Sequence, residues 1–502
     1  MANTTSALRN GLWNSLSRII LGAAQVFGSI LIVRSLTSAE EYGVFSYYAW
    51  LAGILSTLGV LAFPNSLTKV ASELRGANES NEAQALMRWL LFVLLAVNGA
   101  LGLVVAARAW FVPAPDQYYL LIVALVPIMN VLVRLFSSLL WGYEEYRPIS
   151  IASSLAGVVQ FLLIGIAYLA DWGVSGYLIA VVLSMNVFVP VMLLLSSRGR
   201  RLIVAALSVP AWPSRATLAR YFDFFKPAAL IIVFDAIVWQ RSEVFFLERF
   251  SSTEEIGFYS LAFSVIAIFI ALGHSLVNGY YPAISREYGA GNLPRIRQQV
   301  SQAMLLAVIY ATPLLFGGWV TIDRLTLVMY GEKMLPMVDA ARVLFIGLVP
   351  AVIAGVLGLT ISALNKMWLQ VRIGISLAVF NIVLDLVLIA WLQFGSVGAA
   401  VANTSTQLTY ALWLYVVVSK LSDVSLPWRP IGVVLIFGFL TTYLVPLWMQ
   451  RWLPGVWGLL AAIVVAALLY GASLWGSGLL TTLVARIPKP SWQGSKLFGR
   501  AK

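Results

Sequence analysis

Apolar residues fill this chain in long blocks, and short polar stretches separate them. A hydrocarbon core roughly 30 Å thick is crossed by a helix of about 20 apolar residues. Fourteen stretches reach that length: 12–33, 43–66, 84–107, 117–141, 148–170, 174–196, 227–250, 257–280, 297–320, 339–363, 371–393, 397–420, 430–449 and 456–480. None shows the period-two alternation of a membrane barrel strand. The expected fold is an all-α polytopic membrane protein with fourteen transmembrane helices. The leftover loops are too short for a sizeable soluble domain.

The pattern repeats about 214 residues on. Ser38-Ala39-Glu40-Glu41-Tyr42-Gly43-Val44-Phe45-Ser46 matches Ser252-Thr253-Glu254-Glu255-Ile256-Gly257-Phe258-Tyr259-Ser260 at five of nine positions. Pro64 then corresponds to Pro282, Gly76-Ala77-Asn78 to Gly289–Asn292, and Gly176 to Gly398. Duplicated membrane halves are characteristic of transporters, whose substrate sites lie between repeats. The plan expected is a six-helix lobe (1–196), a basic cytosolic linker (197–226), a second six-helix lobe (227–420), two extra helices (421–485) and a basic cytosolic tail (486–502).

Composition agrees with that plan: 60% of the residues are hydrophobic and 11% charged. The net charge is 33 − 21 = +12. With a cytosolic N-terminus, 23 of the 33 Lys and Arg residues fall on the cytosolic side. This asymmetry follows the positive-inside rule and puts both termini in the cytosol. The basic excess therefore reads as topology and contact with membrane lipids, not as a nucleic-acid site. There is no cysteine, hence no disulfide or thiol chemistry. The first apolar stretch is too long for a cleaved signal core and reads as a retained helix.

Ionisable residues inside a bilayer are costly and face partners or cavities. Asn14, Arg18 and Gln25 share one face of the first helix, at steps of three and four. Asn130, Arg134 and Trp141 form a second such stripe. Arginine's planar fork suits phosphate, so Arg18, Arg134, Arg241 and Arg342 are the candidate phosphate-binding cations. Trp239 and His274 join Asn14, Gln25, Asn130 and Trp141 as candidate polar or aromatic wall residues. Asp235, Glu243 and Asp385 are candidates for ion pairing or for coupling to a proton or sodium gradient. Pro64 and Pro282 are candidate gating bends, because proline removes a backbone donor. No nucleotide loop, metal cluster or catalytic set is evident, so the chain reads as a transporter without a cofactor, not an enzyme.

The segments Leu8-Arg9-Asn10-Gly11, Arg34–Gly43, Tyr281–Arg286 with Gly289–Asn292, and Ser396–Ala402 resemble the MOP flippase superfamily. The likeness is nearest to its polysaccharide-transporter branch, the Wzx-like oligosaccharide flippases, and covers about residues 8–480. It implies two pseudo-symmetric six-helix lobes plus two C-terminal helices in a MATE-like V shape, working by alternating access. It further implies an undecaprenyl-pyrophosphate-linked oligosaccharide as substrate, the prokaryotic inner membrane as location, and polysaccharide polymerase or ligase machinery as partner. A lipid II flippase and a MATE-like multidrug or cation antiporter remain open alternatives. A membrane glycan polymerase or ligase fits less well, for want of a large external loop.

Overall fold

The computed structural model describes residues 20–77, 79–143, 145–208, 212–238 and 242–479. Asn14, Arg18, Trp239 and Arg241 lie outside them, as do the side chains of Asp235 and Pro282. Among the described residues every regular element is a helix.

The first half holds α1 (Ile20–Ser35), α2 (Ala39–Val60), α3 (Phe63–Gly76), α4 (Ser80–Ala109), α5 (Asp116–Gly142), α6 (Tyr146–Leu169) and α7 (Gly173–Leu195). Next come α8 (Ser197–Ser208), α9 (Arg215–Val238) and α10 (Glu243–Phe250). The second half continues with α11 (Thr253–Val277), α12 (Tyr281–Gly289), α13 (Leu293–Met329), α14 (Met337–Ala363), α15 (Met367–Trp391) and α16 (Gly395–Ser422). The described residues end with α17 (Trp428–Trp452) and α18 (Val456–Gly476).

Eleven helices are long and apolar enough to cross a membrane. The count of fourteen expected from the sequence is not reached among the described residues. The other three expected spans coincide with α1, described over a shorter stretch, and with α9 and α16, which carry more polar residues.

Three boundaries differ from the sequence expectation. The stretch 43–66 is two helices, because the chain turns at Leu61 (φ 39°) and restarts with Pro64 in the first turn of α3. Proline's missing N–H would have served the Val60 carbonyl, so the break falls where the ladder cannot continue. The matched proline, Pro282, likewise sits in the first turn of α12, after a 3₁₀ turn at Asn278–Tyr280. Finally, the expected loop 321–338 is helical as far as Met329.

Two compact units emerge. One holds the chain up to Ile268 together with Leu325–Leu344 and Lys366–Tyr410. Its core gathers Leu67, Leu74, Leu86, Met87, Leu90, Leu135 and Leu139, all buried on α3, α4 and α5. The other holds Phe269–Arg324, Phe345–Asn365 and the chain from Ala411. There Val308, Ile309, Val434, Tyr470 and Leu474 pack together, and the Tyr470 hydroxyl donates to the Ile309 carbonyl at 2.9 Å.

Candidate functional site

The first unit carries two polar chains in apolar helices. One begins at Glu243, at the start of α10. Glu243 is 0% exposed, and its Oε1 accepts from Asn403 Nδ2 at 3.0 Å and Asn381 Nδ2 at 3.4 Å. Asn381 also donates to Thr406 Oγ1 at 3.3 Å and accepts from Ser242 Oγ at 3.0 Å. One helical turn beyond Asn381 comes Asp385, likewise 0% exposed, and close enough to Glu243 for their charges to interact.

Glu243 also has the Tyr259 hydroxyl beside it, whereas both carboxyl oxygens of Asp385 have no hydrogen-bond donor, and buried Gln407 Oε1 also lacks one. An uncompensated buried ion costs several kcal/mol. Two such acids side by side therefore want protons or a cation. Asp385 ends the α-helical part of α15; the ladder then widens into a π-helical stretch, Leu386–Trp391. Such stretches occur often at functional sites.

The other chain begins at Arg134 on α5. Its Nε donates to Asn130 Oδ1 at 3.3 Å, Asn130 Nδ2 donates to Asn186 Oδ1 at 3.0 Å, and Asn186 Nδ2 donates to the Val182 carbonyl at 3.2 Å. Asn186 sits in another π-helical stretch, Ser184–Phe188 of α7. Arg134 is exposed and joins none of the ion pairs among the described residues. It is a cation braced through one nitrogen, Nε.

The remaining candidates scatter. Arg342 pairs with Asp339, 3.6 Å away and one turn earlier on α14. Trp141 is half-buried against the α3–α5 core, which leaves it packing as much as lining. Gln25 is exposed on α1. His274 lies in the second unit; its Nε2 is 3.2 Å from the Ala351 carbonyl and its ring rests where a Cβ on Gly355 would stand.

The matched segments of the repeat meet each other. A Cβ on Gly43 would lie 1.9 Å from the Thr253 carbonyl, and one on Gly257 would lie 2.9 Å from the Ala39 carbonyl. Only glycine permits this approach. Each helix opens with a capping serine: Ser38 Oγ accepts from Glu41 N at 3.2 Å, and Ser252 Oγ from Glu255 N at 3.4 Å. Glu41 closes its own box on Thr37 N at 2.7 Å, whereas Glu255 reaches across to Ser396 N at 2.7 Å and caps α16.

A clasp beside this crossing escaped the sequence reading. Arg34, at the end of α1, donates to the carbonyls of Leu327 (3.3 Å), Val328 (2.6 Å) and Met329 (3.0 Å), the last three residues of α13. The Val328 and Met329 carbonyls have no helical partner, while that of Leu327 already accepts from Gly331 N at 3.1 Å; a cation there also meets the negative end of the helix dipole. In the other direction Lys333 donates to the Leu36 carbonyl, and Ser29 Oγ lies 3.4 Å from the Tyr330 hydroxyl.

Comparison with known proteins places this geometry. Residues 231–387 match the MatE family model, a stretch that contains Glu243, Asn381 and Asp385. A protein of Haloferax volcanii described as a probable low-salt glycan biosynthesis flippase, Agl15, is 24% identical over 217 residues, 43% of each chain. The alignment thus spans less than half of that relative. Among solved structures, the lipid II flippase MurJ in an inward closed conformation superposes with a TM-score of 0.72 at 12% identity, covering 95% of this chain and all of MurJ. An inward-facing MATE-family multidrug transporter of the MOP superfamily superposes at 0.67 and 14% identity, over 82% of this chain and 100% of its own. Residues 231–387 therefore match the MatE model, and the chain is a multi-pass membrane protein with a MurJ- and MATE-like fold. The proteins it resembles are flippases and transporters, not enzymes.

Proposed function

We propose that this protein is a flippase that carries a polyprenyl-pyrophosphate-linked oligosaccharide across the cytoplasmic membrane of a prokaryote, for surface polysaccharide assembly. Transport is driven by a cation, a proton or sodium, taken up at Glu243 and Asp385. Both termini are cytosolic, and a glycan polymerase or ligase receives the product. The two six-helix lobes work by alternating access, with Pro64 and Pro282 as the matched bends.

One observation carries the reading: among the described candidates, the cation Arg134 is exposed while the acids Glu243 and Asp385 are wholly buried. A phosphate needs an exposed, hydrogen-bonded arginine. A bulky organic cation needs an exposed carboxylate, and Glu243 and Asp385 offer it no surface. They fit a small ion, held by carboxyl and neutral amide and hydroxyl oxygens as in other gradient-driven carriers. The antiporter reading is therefore second. The glycan-flippase description of the archaeal relative supports the substrate class, and the likeness to MurJ keeps lipid II as an alternative lipid-linked sugar.

The test is a flipping assay. Purified protein enters vesicles containing a fluorescent undecaprenyl-pyrophosphate oligosaccharide, and external reductant reports the fraction facing out. Flipping that follows an imposed sodium or proton gradient and fails in Arg134→Ala supports the proposal. Flux of a cationic dye with no flipping of the glycolipid would sink it.

A further inference from the structure

We propose that the segment from α8 to the start of α9 is a receptor for anionic phospholipid headgroups of the cytosolic leaflet. Arg200, Arg201 and Arg215 take the phosphates, and Val204, Leu207 and Trp212 seat the segment in the headgroup layer. The inference rests on the cytosolic orientation above, though not on the transported substrate.

The helix is amphipathic and its inner face is spoken for. Gly199, Ile203 and Ala206 are buried. A Cβ on Gly199 would lie 2.3 Å from the Leu193 carbonyl, so glycine lets the chain fold back tightly after α7. Both ends of the segment are pinned. Arg198 pairs with Glu145 at 3.2 Å. Past the helix, Ser214 N and Thr217 Oγ1 donate to Glu82 Oε2 at 3.0 and 2.8 Å. The segment cannot roll, and the same face always points away from the protein.

That outward face is apolar and basic at once. Arg200, Val204 and Leu207 follow one another at steps of four and three, with Arg201 beside them. Val204 is 47% and Leu207 39% exposed. All three arginines are exposed and join no ion pair among the described residues. A face in contact with water alone would have no use for exposed Val and Leu among its arginines.

Trp212 fixes the level. It is exposed, and its ring centroid lies 6.5 Å from that of Phe92, an exposed residue on the flank of membrane helix α4. Tryptophan against a lipid-facing ring marks the interface between headgroups and acyl chains. With the apolar residues at that depth, the arginines stand among phosphates, and charge complementarity selects acidic ones. Each arginine near an anionic surface adds about fivefold in preference.

The absence of cysteine makes the test clean. A single Ser208→Cys carries an environment-sensitive dye, and the full chain is placed in nanodiscs of phosphatidylcholine, with or without phosphatidylglycerol. Phosphatidylglycerol should shield the dye from aqueous acrylamide, a neutral quencher, and added salt should reverse the shielding. The triple variant R200Q/R201Q/R215Q should lose the preference by on the order of a hundredfold, while R200K/R201K/R215K, melting at the same temperature, should keep most of it. Equal quenching in both lipids, or an unchanged preference in the glutamine variant, overturns the proposal. The readout needs no transport, so its failure is separate from failure of the flippase reading.

Discussion

The two polar chains of the first unit are built alike and end oppositely. Each runs through asparagines to a π-helical stretch: Arg134–Asn130–Asn186 in the first half, Glu243–Asn381–Asp385 in the second. In the first the charged group is exposed and its braces are satisfied. In the second the charges are buried and neither oxygen of Asp385 has a donor. A bare buried acid lowers stability, so it persists only where something binds it. Under the proposed function the difference divides the labour: the first half would offer charge to a large anionic substrate, and the second would take a small cation out of water.

The largest effect should come from breaking the buried end. Asp385→Asn keeps shape, removes one of two repelling acids and gives Glu243 a neutral neighbour. Gradient-driven flipping should fall about 10²-fold, as when support for a bound ion is lost. Thermal stability should stay level or rise by about 1–3 kcal/mol, because a buried unpaired charge has gone. Loss of both flipping and stability would mean that the acids are structural. Glu243→Ala should differ, since it strands the donors of Asn381 and Asn403 and so destabilises as well.

Breaking the exposed end should cost less. Arg134→Ala removes a charged hydrogen-bonding group worth roughly 1.5–3 kcal/mol, so flipping should drop about tenfold or more. Melting should be unchanged, because nothing buried depends on the side chain. Arg134→Lys should restore only part of the rate, as an ammonium lacks the fork. Wild-type flipping by Arg134→Ala would remove the first chain from the mechanism.

Substitution at the glycine crossing sharpens what the halves share. Gly43→Ala puts a methyl 1.9 Å from the Thr253 carbonyl, and Gly257→Ala puts one 2.9 Å from the Ala39 carbonyl. Overpacking of this kind costs roughly 1–3 kcal/mol. Gly43→Ala should lower the melting temperature more than Gly257→Ala. Equal, negligible shifts would show that the crossing is loose in the membrane.

Much of this frame was legible in the sequence for a simple reason. Apolar runs have to match the bilayer, and Ser-x-x-Glu followed by Gly has to recur where two helices cap and cross. The acids were legible as anomalies, since Glu243 and Asp385 stand in apolar surroundings. Their connection was not: Glu243 is on α10, Asn381 on α15, and Asn403 and Thr406 on α16, and spacing along one helix does not reveal a partner on another. Asn130 and Arg134 were visible as a stripe, while the brace from Asn186 depends on a π-helical stretch that periodicity does not show. The break at Leu61 was hidden because Pro64, three residues later, reads equally as a kink or a restart. Arg34 read as a loop charge because its partners are backbone carbonyls, which carry no sequence signal at all.

That clasp should give the smallest effect, and it tests whether the crossing opens. Arg34→Ala removes bonds to three helix-end carbonyls from an exposed side chain, a loss of roughly 1 kcal/mol. The open population should grow about fivefold, read as faster maleimide labelling of a single Ser29→Cys in this cysteine-free chain. Lys333 adds a pH arm. Burial lowers its pKa below the ordinary 10.5, and Arg34 adds to that, while Glu41 opposes it. The closed clasp therefore binds the Lys333 proton less tightly than the open state. The closed form should gain as pH rises from the lowered value toward 10.5, and labelling should slow across that window. Lys333→Gln should flatten the profile, and a profile that keeps its slope in the variant would assign the titration to another group.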